Sequence, residues 1–492
     1  MAAPTYIPWD TSCKKSENAV QCYGLNVFMS KGNEMEKPSK ALKENKMGTM
    51  PLGKLLVNMA VPMVIAMLVQ ALYNVVDSLY VSRISESAVT ALSLAFPVQN
   101  IQIGFATGIG VGVNSILSKS LGEGNQENAN RSAGNGMVLV GIVAVAFILF
   151  GAFATRPFFQ MQSSVQETVD GGVAYLSICC MLSLGIFVEV LGERLLQASG
   201  RTAYTLLTQG TGAVTNIILD PVFIFGFEPL GIPAMGLAGA AVATVIGQWL
   251  AAILAVIFNL KCNPDVQFGL KYFKVKKETM RPILTVGIPS VIMVAIGSVM
   301  NFSMNQILQG FSETATGVFG IYFKLQSFFF MPLFGINNAT ISIMAYNYGA
   351  RDPKRIMGTL KRVVITDVVI MLIGLAAFQF LPDLLLGMFN PSDEFLRIGR
   401  GALRTISLAF PLAAIGISVS ASFQALGDGI YSTITSLCRQ MLVLLPAAYL
   451  LSLTGEVTMV WWAYPIAECI SVFVTLFLFS RIYKKKIKPL TV

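Results

Sequence analysis

Four polar residues, Gln70, Tyr73, Asn74 and Asp77, break into an otherwise apolar run that starts at Val61. At spacings i, i+3, i+4 and i+7 they share one face of a helix. A polar stripe ending in a carboxylate is costly in lipid, so it must face protein or a water-filled cavity. The chemistry that suits it is the binding of a proton or small cation in the pathway of a membrane transporter. The plainer alternative is a loop-end aspartate at the surface. A second group is Asn216 and Asp220, four apart and followed by Pro221. Asn216 can orient an acid or offer an oxygen ligand, and two carboxylates at similar depth can share a proton or hold a cation. The dipeptide Asp220-Pro221 could also simply end a helix. The 492-residue chain contains no histidine, so proton chemistry rests on its carboxylates.

The elements that carry these groups are membrane spans. Of the 492 residues, 54% are hydrophobic and only 12% charged, about half the charge of a typical soluble domain. The long apolar runs predict an all-α polytopic membrane protein with twelve spans: 53–80, 88–116, 134–157, 171–197, 202–226, 235–260, 281–309, 315–342, 359–381, 396–423, 430–452 and 458–482. Residues 1–50 read as a disordered cytoplasmic tail, with Met35 or Met47 as alternative starts, and 484–492 as a basic cytoplasmic tail. Between them lie a first lobe at 51–260, a linker at 261–280 and a second lobe at 281–483. Lys and Arg concentrate in every second link, which places both termini in the cytoplasm and the chain in the cell inner (plasma) membrane. The net charge of +9 is therefore a topology signal and suggests no nucleic-acid partner. On this orientation Asp77 and Asp220 both lie in the outer halves of their spans.

The chain also repeats itself. A shift of 227 residues places Pro62 on Pro289, Asn74 on Asn301, Gly108 on Gly335, Gly122 on Gly349 and Gln197 on Gln424. Six spans per half give two lobes in the same orientation, related by a pseudo-two-fold along the membrane normal and suited to alternating access. The same shift sets Asp77 on Met304, Asn216 on Val443 and Asp220 on Ala447. The second half lacks these polar groups, so the coupling ion is expected in the first.

Other charges lie within spans: Lys324, Arg439 and Glu468 in the second half, Glu189 and Glu193 in the fourth span. Glu468 is a candidate partner for Lys324, with a structural ion pair and a substrate-pathway role both open. Glu193 reads as an interfacial pair with Arg194. Prolines within spans read as kinks, and Gly104, Gly108 and Gly112 as a ridge for close helix packing. Seven scattered Cys, no metal-ligand spacing, no phosphate-binding glycine loop and no nucleophile elbow argue against an enzyme or an ATP-driven pump. Two unequal halves argue against a channel.

These residues resemble the multidrug and toxic compound extrusion (MATE) transporters along essentially all of 50–482. The carriers are Gln70-Ala-Leu-Tyr73-Asn74-Val-Val-Asp77, Asn216-Ile-Ile-Leu-Asp220-Pro221 and Gly239-Ala-Ala-Val-Ala-Thr244-Val-Ile-Gly-Gln248. The resemblance implies two six-helix lobes exporting organic cations in exchange for H⁺ or Na⁺. It implies that Asp77, Asn216, Asp220 and Thr244 form the cation site. Gln70, Tyr73, Asn74, Lys324 and Glu468 are expected along the substrate pathway. Na⁺, if it is the coupling ion, would sit at Asp77, Asn216 and Asp220, and no cofactor is expected. Some branches carry acids in spans seven and ten, where this chain has none. The expected partners are small organic cations and the lipid bilayer, and the expected state is a monomer. A flippase for a lipid-linked oligosaccharide, from the same superfamily, is the alternative.

Overall fold

The computed structural model describes residues 45–81, 83–389 and 392–491. The expected tail lies outside the described residues as far as 44. Its last six residues instead make a hook, with a helical turn at Lys46–Thr49 and a fully buried Met47.

The described chain is helical throughout, apart from one isolated bridge between Phe227 and Ile232. The first three spans are Leu52–Val81, Glu86–Gly122 and Gln126–Phe153. The fourth is broken into Gln166–Met181 and Leu184–Ala198, and Thr202–Phe225 and Leu237–Cys262 complete the first half. The second half runs Lys277–Gln309, Glu313–Gly349, Pro353–Phe380, a broken pair Asp393–Ser407 and Phe410–Ala425, Gly429–Ser452, and Ala463–Ile482. Nine of the described helices are long and apolar enough to cross a membrane singly, and the two broken pairs add two more. The fifth span, Thr202–Phe225, makes the twelfth. Its threonines, Gln209, Asn216 and Asp220 make it too polar to stand out by hydropathy alone.

Both breaks bend the chain by 47° and fall within one residue of matching repeat positions, at 182–183 and 408–409. Pro411 opens the helix after the second break, whereas the first contains no proline. There Trp249 is wedged against Gly185 and its indole N–H donates at 3.2 Å to the Leu182 carbonyl, which also accepts from the Gly185 N–H at 3.2 Å.

Two buried clusters form the cores of the lobes. One runs from Val81 to Ile283, rich in small residues and Phe147, Phe159 and Phe187. The other runs from Met300 to Ala467 around Phe319, Phe378, Phe410 and Trp461. Met304, Ala447 and Val443, which stand in the repeat where Asp77, Asp220 and Asn216 stand in the first half, belong to or pack on that second core. Packing replaced polarity there.

The seam between the halves follows the repeat. The first span packs on the eighth and the second on the seventh. A Cβ on Gly108 would lie 2.5 Å from Val291, and one on its repeat mate Gly335 would lie 2.9 Å from Val64, the repeat mate of Val291. Neither glycine has room for a side chain, so these helices approach to backbone distance. Toward one end of the seam Ser342 donates to Asn114 Oδ1 (3.0 Å) and Ser115 to the Gln424 carbonyl (2.8 Å). The hook closes that end. Asn45 donates to the Ser199 carbonyl of the first half (3.3 Å), and Arg355 of the second half donates to the carbonyls of Met47 (2.9 Å) and Met50 (2.8 Å).

Candidate functional site

Three spans build the polar cluster of the first lobe. The fifth packs against both the first and the sixth. Asn216 and Asp220 lie on its buried face, at 3% and 0% exposure. The amide of Asn216 donates to Asp220 Oδ1 at 3.2 Å and to Thr244 Oγ1 of the sixth span at 3.1 Å. This shared amide fixes the carboxyl and hydroxyl about one nitrogen and leaves Asp220 Oδ2 and Asn216 Oδ1 buried without a partner. Gly212 and Gly247 approach backbone to backbone just below, which lets the fifth and sixth spans come close enough for that bridge.

Asp77 approaches from the first span. Its side chain is half-buried, its Oδ1 is buried and unpartnered, and its charge acts on Asp220. Tyr73, one turn away, lies within electrostatic reach of Asp77, Asp220, Glu189 and Cys179. Behind it, Gln99 of the second span donates to Tyr175 Oη at 3.0 Å. Asp77, Tyr73, Asn216, Asp220 and Thr244 thus converge, with Tyr175, Gln99 and Cys179 as neighbours absent from the sequence reading. Their signal in the sequence was weak, because a tyrosine and a cysteine in an apolar run read as packing. Gln70 is half-buried and Asn74 exposed on the same helix. Oxygens without partners, in a buried cluster of carboxyl, amide and hydroxyl, can take a proton or coordinate a small hard cation.

Two expected pairings are not formed. Glu468 is bound by Arg439 (3.3 Å), not by Lys324. Arg439 sits in a π-helical stretch, Cys438–Leu444, whose wider turn directs it toward the twelfth span. Lys324 is exposed and belongs to none of the ion pairs found among the described residues. Glu193 is held by Thr208 Oγ1 and Gln209 Nε2 of the fifth span, both at 2.8 Å, and Arg194 donates instead to Gln197 Oε1 (3.0 Å). Adjacent residues on a helix point about 100° apart, so Glu193 and Arg194 find separate partners.

A cavity of about 180 Å³ opens in the second lobe, away from the acids of the first. Its wall includes Asn337, Ser420, Gln424, Ser436, Arg439 and Thr475. A further acid, Asp367 of the ninth span, is fully buried and bonded to Asn337 and Ser418. A lone aspartate in the middle of 359–381 was the available signal.

The MatE family profile matches residues 62–222 and again 289–450, two copies whose starts stand one repeat apart. The multidrug export protein MepA of Staphylococcus saprophyticus is 24% identical over 416 residues, covering 84% of this chain and 90% of that protein. MepA of Staphylococcus haemolyticus is 24% identical over 434 residues, covering 86% and 92%. A multidrug resistance MATE family transporter of the MOP superfamily, solved in an outward-facing conformation, superposes with a TM-score of 0.85 at 25% identity, covering 92% of this chain and 99% of that one. A MOP superfamily transporter from Pyrococcus furiosus has the same fold, with a TM-score of 0.84 at 24% identity over 92% of this chain and all of that chain. With twelve spans in two lobes and both halves matched, the chain belongs to the MatE family and is a polytopic membrane transporter.

Proposed function

We infer that the protein is an ion-coupled antiporter that exports lipophilic organic cations by alternating access, with H⁺ or Na⁺ entering through the first-lobe cluster. The observation that carries this reading is the Asn216 amide bridging Asp220 and Thr244 beside Asp77, with two oxygens left buried and unpartnered. A cation or proton arriving there lowers the cost of the buried charge in one conformation more than in the other. That difference is what drives a two-state equilibrium. The multidrug export activity named for the staphylococcal relatives supports the class of cargo. Gln70, Tyr73, Asn74 and Lys324 border the path in this reading, and both termini face the cytoplasm of the inner (plasma) membrane. The protein acts as a monomer without a cofactor and performs no catalysis.

A flippase for a lipid-linked oligosaccharide would need unpaired positive charge to hold a diphosphate. The arginine lining the second-lobe cavity is occupied by Glu468, which leaves Lys324, among the described residues, as a single unpaired cation on the proposed path where a diphosphate calls for several. The deciding experiment is dye efflux from proteoliposomes with pH and Na⁺ gradients imposed separately. Wild type should respond to one gradient and Asp77→Asn should lose that response. Efflux at the wild-type rate in Asp77→Asn would remove Asp77 from the mechanism.

A further inference from the structure

Asp367 lies on the innermost face of the ninth span. Val363 one turn before it and Met371 one turn after it are, like Asp367, 0% exposed. Two donors converge on one of its oxygens: Ser418 Oγ of the tenth span at 2.6 Å and Asn337 Nδ2 of the eighth at 3.1 Å, both to Oδ2. Its other oxygen, Oδ1, is buried without a partner, and so is Oδ1 of Asn337. The Asn337 amide also donates its second N–H to the Leu333 carbonyl (2.8 Å), and Ser418 Oγ lies 2.7 Å from the Ala414 carbonyl, which competes with Asp367 for its single proton.

The spans packed on the ninth are the first, the eighth and the tenth. None supplies a countercharge. Asp367 takes part in no ion pair found among the described residues, and the influences acting on it are burial and the hydrogen bonds from Ser418 and Asn337. On the ninth span itself the charged residue closest in sequence is Arg362, which is exposed and donates to the Gly358 carbonyl at 3.0 Å. Lys324 of the eighth span and Lys488 of the turn packed on the ninth are exposed, and across the cavity Arg439 is taken by Glu468. A buried carboxylate with a bare oxygen and no positive neighbour is untenable unless a proton or a small cation completes it. Access is available, because Asn337 is part of the wall of the 180 Å³ cavity and the tenth-span residues Gly416, Ile417 and Ser420, flanking Ser418, line the same space.

The chemistry matches that of the first lobe. There the set is Asp220, Asn216 and Thr244, and here Asp367, Asn337 and Ser418. In both, an asparagine amide donates to the acid while its own Oδ1 and one carboxyl oxygen stay unpartnered. The set is not inherited from the repeat, since the first-half positions matching 337, 367 and 418 are Gly110, Val140 and Leu191. A scaffold role common to both halves therefore does not account for it.

We propose that Asp367, Asn337 and Ser418 form a second binding site for a small monovalent cation, a proton or Na⁺, in the second lobe. The proposal rests on the ion-coupled reading above but makes a prediction that can be separated from it. The test is made on the purified full-length protein in detergent, with no transport step. One arm measures saturable binding of radioactive Na⁺. The other compares proton uptake between pH 9 and pH 5 for wild type and variant, so that surface carboxyls common to both cancel.

Asp77→Asn/Asp220→Asn should retain one cation per protein in one of the two arms, and adding Asp367→Asn should abolish it. Asp367→Asn alone should reduce the wild-type count by one. If Asp77→Asn/Asp220→Asn binds no cation in either arm, or if the count is indifferent to Asp367, the carboxyl is a neutral packing group and the proposal is wrong. If Asp77→Asn/Asp220→Asn binds as many cations as wild type, and Asp367→Asn loses that binding, the first-lobe reading fails and this one stands. Should Asp367→Asn not fold, Ser418→Ala in the Asp77→Asn/Asp220→Asn background keeps the acid and removes one donor. Its affinity should shift about tenfold, as expected for one hydrogen bond to a charged group, and an unchanged affinity would count against the site.

Discussion

Gly122 and Gly349, one repeat apart, lie against each other's helices. A Cβ on Gly122 would meet the backbone of Tyr346 and Ala350, and a Cβ on Gly349 the backbone of Lys119 and Glu123. The contact is reciprocal because the pseudo-two-fold passes between the two helix ends. Neighbouring atoms on both sides are main chain, which cannot rotate away.

Gly122→Ala and Gly349→Ala should each destabilise the protein by about 1–3 kcal/mol through overpacking. Gly141→Ala, at a position with nothing within 4 Å of the added Cβ, should leave the melting temperature within error of wild type. Thermal unfolding in one detergent checks all three. Equal melting temperatures for all four proteins would mean that the seam is looser than its geometry implies.

At the first-lobe cluster, Asn216→Ala releases Asp220 and Thr244 together. A hydrogen bond to a charged group is worth about 1.5–3 kcal/mol, so gradient-driven dye efflux should fall roughly tenfold or more. Thr244→Ala removes only the hydroxyl and should have the smaller effect. Initial rates in proteoliposomes at a fixed gradient give the comparison, and the reverse order would displace Asn216 from the centre of the cluster.

Arg439→Ala leaves Glu468 buried and unpaired. Breaking a buried pair costs about 3–5 kcal/mol, whereas replacing both partners with apolar side chains is often close to neutral. Arg439→Met/Glu468→Met should therefore be more stable than Arg439→Ala. A double variant no more stable than the single one would show that the pair is not the source of the loss.

Lys324 places an unpaired positive charge on an exposed face of the eighth span. If it borders the path of a cationic cargo it repels that cargo, and Lys324→Ala should lower the KM for a cationic dye roughly two- to fivefold at unchanged melting temperature. An unchanged KM would place Lys324 outside the path.

The spans were legible in the sequence because lipid demands some 20 apolar residues per crossing, and the repeat was legible because Pro62, Gly108 and Gly122 recur at one offset. The juxtaposition of Asp77, Asn216 and Asp220 was readable for the same reason that it is costly: polar groups at helical spacing in apolar runs are conspicuous. The break at 182–183 was not, since it contains no proline and a contact with Trp249 leaves no mark on hydropathy, whereas the one at 408–409 was marked by Pro411, an in-span proline that reads as a kink. Partner choice was hidden too. Arg439 reaches Glu468 through a π-helical turn, and an α-helical period does not forecast where its side chain points. Asp367 was overlooked because its partners, Asn337 and Ser418, are 30 and 51 residues away and look like ordinary polar relief in helices.

The hook at residues 45–50 has a mechanical consequence. It is fastened to the fourth-span end through Ser199 and to the ninth-span start through Arg355. Any rearrangement that parts the two lobes at that end must first undo one fastening. Residues 45–50 thus work as a clasp, and whatever tugs on the chain just ahead of Asn45 tugs on the clasp.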